Sequence, residues 1–117
     1  MTPRGAVLGA SLLTAWIGAA AAKETITARE GALFSLYYRM EVAGYCSLVS
    51  AAVARGFARR AEVLERDLRL SDARRDHVRG KAWQAAHAEW QNRGLGGFRA
   101  WCANEGREAA DWLADPR

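Results

Sequence analysis

The sequence predicts an all-α domain: a small antiparallel bundle of three to four helices with one disulfide, preceded by an N-terminal signal segment. Three observations carry that expectation. Apolar residues recur at three- and four-residue intervals after residue 27, hydroxyl residues stand where helices should start, and two cysteines, Cys46 and Cys102, can pair in only one way within the chain.

Residues 5–22, GAVLGASLLTAWIGAAAA, carry no charge and follow Arg4, as the apolar region of an export signal does, and Ala20-Ala21-Ala22 supplies a small-residue cleavage site before Lys23. The expected division is therefore a signal peptide over 1–22 and a helical domain over 23–117. The alternative for the first segment is an uncleaved membrane anchor, since eighteen uncharged residues reach the lower edge of spanning length. Export places the protein in the periplasm or outside the cell, where an oxidising environment permits a Cys46–Cys102 disulfide. A domain of this size buries a modest core, and a covalent staple helps it.

Thr27 and Glu30 have the spacing of a capping box, so the first helix is expected to begin near Ala28. Phe34, Tyr38, Val42, Tyr45 and Val49 then recur along one face, with Leu33, Leu36 and Met40 on another side. A helix apolar around so much of its circumference is either central or exposes a patch for a partner. Gly44 or Ser47 is the expected interruption, after which Val53, Phe57, Leu64 and Leu68 mark a second stretch ending near Leu70.

Ser71 offers the next N-cap, with Asp72 in the first turn of a helix expected over 72–93, where Arg79, Trp83, Ala86 and Trp90 share one side. The stretch NRGLGGFRAWC then reads as a corner. Gly94 occupies the post-helix position that favours a left-handed glycine, Leu95 is placed to fold back on the last turn, and Gly96-Gly97 reverse the chain. A phosphate-binding loop is the weaker reading, because GxxxxGK[ST] is absent and no strand candidate precedes the glycines. The last helix is expected over 98–113, turning Phe98, Trp101, Cys102, Ala109, Trp112 and Leu113 inward.

Two carboxylates interrupt aromatic faces. Glu41 falls among Phe34, Tyr37 and Tyr45, and Glu105 among Trp101, Cys102, Ala109 and Trp112. Burying an unpaired charge is costly, so a buried charge network with Arg79, or with Arg99 or Arg39, is expected, and a carboxylate pair sharing a proton or a cation is its rival.

No cofactor and no metal is expected. CxxC and CxxCH are absent, and His77 and His87 stand ten residues apart rather than one turn apart, with His87 a rim residue beside Trp83 and Trp90. The serines at 35, 47 and 50 lack a base and an orienting group, so enzymatic activity is not expected.

The formal charge of +4 is modest, and the nine Lys/Arg between Arg55 and Lys81 alternate with five Asp/Glu in pairs such as Glu62/Arg66. That pattern is a solvated helical surface and argues against a nucleic-acid partner, while leaving contact with a membrane surface open. The resulting functional expectation is an exported accessory or interaction domain whose partner is an envelope protein or a second copy. The alternatives are a small apolar-ligand binder lined by Tyr38, Tyr45, Trp83, Trp90 and Trp101, or a membrane-anchored subunit of an envelope complex that keeps residues 5–22 as a helix.

Overall fold

The computed structural model describes residues 25–117, so the expected signal segment lies outside the described residues. Within them the chain forms four helices and no strand. They are α1 (Gly31–Tyr45), α2 (Ala51–Leu68), α3 (Asp72–Gln91) and α4 over residues 98–114. The last begins as an α-turn, Phe98–Trp101, passes through a π-helical segment, Cys102–Gly106, and ends as the α-helix Arg107–Ala114. Among the described residues no helix is long and apolar enough to cross a membrane.

The starts of the first three helices follow from local chemistry. Thr27 Oγ1 accepts from the Glu30 amide and Glu30 Oε1 from the Thr27 amide, forming the capping box over a 3-10 turn, Ala28–Glu30, that leads into α1. Ser50 and Ser71 cap α2 and α3 by accepting from the amides of Val53 and Arg74. The break after α1 falls at Ser47, which takes the left-handed φ of 55°. The Ser47 and Leu48 amides donate to the carbonyls of Gly44 and Ala43, closing the helix end in the manner usually served by glycine.

Helix α1 is central and packs on each of the other three, while α2 also packs on α4. Its fully buried residues are Leu33, Leu36, Val42 and Ala43, with Tyr37 2% exposed. The expected face is thus rotated. Phe34, Tyr38 and Tyr45 are half-buried, and Val49, 44% exposed, belongs to the connection after the helix and not to its face. Opposite α1, α3 presents Val78, Ala82 and Ala86, all fully buried. Small residues at this seam let the two helices approach closely, which leaves the bulky Trp83 and Trp90 outside the contact at 46% and 40% exposure.

The glycine corner forms as expected in one respect and differs in another. Gly94 and Gly96 take positive φ values of 69° and 81°. Leu95, however, stands fully exposed at the tip instead of folding back, and Gly97 closes so tightly on the Arg93 carbonyl that a Cβ there would lie 2.0 Å from that oxygen. The π-helical segment uses an extra residue per turn and so rotates the faces of α4. Trp101, Ala109, Ala110 and Leu113 turn inward, whereas Phe98 and Trp112 remain partly exposed.

Gly56 permits the contact between α2 and α4. A Cβ at this position would sit 1.7 Å from the Leu113 carbonyl oxygen and 2.8 Å from its carbon, and backbone atoms cannot step aside. Gly56→Ala is therefore expected to cost roughly 2–3 kcal/mol by forcing α2 and α4 apart. Urea denaturation of that variant measures the loss, and an unchanged midpoint would show that the helices separate freely.

Candidate functional site

Two groups of polar and aromatic side chains have the geometry of sites, one between α1 and α4 and the other between the end of α1 and α3. The first is built on the π-helical segment of α4. Cys46 at the end of α1 is bonded to Cys102, and the bond lies directly over Gly106, where a Cβ would be 2.7 Å from the Cys46 sulfur. With the segment held there, Glu105 reaches back toward α1. Its carboxylate accepts from the Tyr38 hydroxyl at 2.8 Å and from the Trp101 indole N–H.

These two neutral donors satisfy Glu105 without an arginine. Burial first, and then the hydrogen bond to Glu105, push the Tyr38 phenol well above its usual range, which keeps it a proton donor at every physiological pH. Glu105 also borders a recess of about 390 Å³ shared with Arg39, Glu108 and Trp112. Replacing Glu105 with glutamine retains acceptor capacity and is expected to cost about 1 kcal/mol. Alanine, which orphans both donors, should cost roughly 2–4 kcal/mol. The same substitutions should bring Tyr38 partway back toward ordinary phenol titration, which ultraviolet absorbance at high pH reads directly.

Glu41 does not join this group. It borders a separate small recess with Tyr37, Met40, Phe57 and Arg79, and makes no hydrogen bond or ion pair among the described residues. Arg79 instead places its guanidinium over the Tyr37 ring, 4.8 Å from its centre, and Arg99 is exposed. The four residues Glu41, Glu105, Arg79 and Arg99 therefore do not form one charge network. Each glutamate is partly accessible, and one is held by a phenol and an indole, so no arginine counter-ion is required.

The paired buried charge is elsewhere. Glu30, only 3% exposed, receives a two-pronged contact from Arg74, with Nε at 2.6 Å from one carboxylate oxygen and Nη2 at 2.7 Å from the other. Arg74 Nη2 also donates to the Thr25 carbonyl at 2.6 Å. The capping-box spacing identifies Glu30 but says nothing of a guanidinium 44 residues away.

The second group is a surface ridge on α3 and the end of α1. The ring of His87 stacks on Trp83 with centres 4.9 Å apart, and Tyr45 stacks on Trp90 at 5.3 Å. The Tyr45 hydroxyl and His87 Nδ1, 2.7 Å apart, join the two stacks. The five aromatics expected around one ligand are thus divided. Tyr38 and Trp101 meet at Glu105, with Trp101 buried in the core, while Tyr45, Trp83 and Trp90 surround His87 at the surface.

Among the described residues, no three His, Cys, Asp or Glu side chains gather as a metal site would need. Comparison with known proteins returned no matching family model, no matching curated protein and no matching solved structure.

Proposed function

We propose that this chain is a non-enzymatic, disulfide-stapled interaction domain that docks a partner protein of the cell envelope through the α3 ridge. The observation that carries the reading is the exposure of Trp83 and Trp90, 46% and 40%, with their rings stacked on His87 and Tyr45, which are themselves joined by a hydrogen bond. Tryptophan and tyrosine dominate the energetics of protein interfaces, and a pre-ordered cluster loses little side-chain entropy on binding. Leu95 in the corner after α3 and Phe98 at the start of α4 are also exposed.

Action in an oxidising compartment accords with the Cys46–Cys102 bond. Intact mass of the protein from its native compartment should begin near Lys23, and a mass beginning at Met1 in a membrane fraction would replace cleavage with anchoring.

A photoreactive residue in place of the exposed Ala88, between His87 and Trp90 in sequence, tests the docking. It should cross-link one defined envelope protein, and Trp83→Ala with Trp90→Ala should abolish that product without lowering the melting temperature. A protein that stays monomeric by light scattering and cross-links nothing from this position would refute the proposal, as would a cross-linked product that survives the double substitution.

A further inference from the structure

Away from the ridge, α1, α2 and the C-terminal end of α4 enclose an open groove of about 640 Å³, within the range of small-molecule sites. Four arginines border it, Arg39, Arg59, Arg60 and Arg117, over a floor that includes Val63, Leu64 and Trp112. We infer that this groove binds a single-chain amphiphile with a carboxylate head, the head among the arginines and the chain along the apolar floor.

The charge balance around the groove supports this chemistry. Arg39 and Arg60 both hold their guanidiniums 4.0 Å from the centre of the Trp112 ring, so one indole faces two like charges. Arg60 reaches the carbonyls of Trp112 and Asp115, and Arg59 that of Asp115, but the Arg60 Nε is buried with no acceptor. The Asp115 carboxylate is engaged by Arg117. Arg39 has the indole face alone and makes no hydrogen bond or ion pair among the described residues.

A guanidinium presents its donors in a planar fork that matches a carboxylate, and here the Arg39 fork is unused beside Arg59 and Arg60, whose hydrogen bonds go to carbonyls, even though Glu105 and Glu108 border the neighbouring recess that Arg39 shares. An anion therefore answers the head of the groove. The floor demands a different chemistry. Val63 is 42% exposed and Trp112 37% exposed, and covering them favours an apolar chain over a free inorganic anion.

The test titrates the folded, disulfide-bonded protein with decanoate below its micelle threshold, and in parallel with decanol and with phosphatidylglycerol vesicles. Backbone amide shifts read the site. Decanoate should saturate with shifts centred on Arg39, Arg60, Leu64 and Trp112, bind about tenfold or more tightly than decanol, and weaken as salt is raised.

Arg39→Gln should weaken decanoate about tenfold while leaving decanol unchanged. Ala32→Glu, which adds a carboxylate at the groove border, should weaken it by a similar factor at an unchanged melting temperature. Equal affinity for decanoate and decanol would overturn the inference. So would shifts centred on Trp83 and Trp90, binding to vesicles with none to monomeric decanoate, or no saturable binding at all.

Discussion

Replacement of both Cys46 and Cys102 by alanine is expected to lower the unfolding free energy by about 4 kcal/mol. The bond closes a separation of 56 residues, and the chain-entropy cost removed from the unfolded state by a loop of that length is about 4 kcal/mol. It also fixes a hydrogen-bonded group between two elements. Cys46 ends α1 and Cys102 begins the π-helical segment that carries Glu105, so the bond holds Glu105 within reach of Tyr38. Both cysteines pack against the cluster of Val42, Ala86, Trp101 and Ala109.

The double variant should retain its helical circular dichroism once folded. Urea denaturation should show a lower midpoint and a somewhat larger slope, because the unbridged unfolded chain exposes more surface. An unchanged midpoint would mean that packing alone secures the two helix ends.

Loss of the Glu30–Arg74 contact should be nearly as damaging. Arg74→Leu leaves the Glu30 carboxylate without its counter-ion and is expected to lower the urea midpoint clearly at neutral pH. The Arg74 guanidinium, by its direct hydrogen bonds, holds the Glu30 carboxyl down at about 2 against an ordinary 4.5. The unfolded chain therefore takes up this proton near pH 4.5, and the folded chain resists until about pH 2.

The stabilisation is complete above the unfolded value and is lost as pH falls through this window. Glu30→Gln should flatten stability against pH between 4.5 and 2, whereas Arg74→Leu should lower the plateau at neutral pH. Acid titration of urea midpoints distinguishes the two. A wild-type profile that is flat across the window would remove the ion pair from the account of stability. Joint replacement of both residues by methionine should recover much of the loss, because no charge then remains buried.

The aromatic ridge was partly legible before any tertiary information. Trp83 and Trp90 share a side of α3 by spacing alone, and His87 between them reads as a rim residue. Their exposure was not legible, because the same spacing describes a core stripe. Val78, Ala82 and Ala86 decide the matter by giving α1 a closer surface to pack against.

The arginine groove was less legible still. Arg39, Arg59, Arg60 and Arg117 are distant along the chain and read singly as solvated charges, and only the packing of α1, α2 and α4 gathers them around Trp112.

The amino-acid sequence by itself determined the helical class, the caps at Thr27 and Ser71, the left-handed glycine of the corner at Gly94 and the single pairing open to Cys46 and Cys102. Each of these depends on residues within a turn of one another, or on there being only two cysteines. Tertiary structure decided which faces turn inward and which charges meet. Glu105 finds Tyr38 across 67 residues, and Glu30 finds Arg74 across 44. Such partners are chosen by how helices pack, and a π turn in α4 rotates the register on which any helical wheel relies. A periodicity of three and four residues marks a stripe on a helix, but only the neighbouring helices determine whether that stripe is covered.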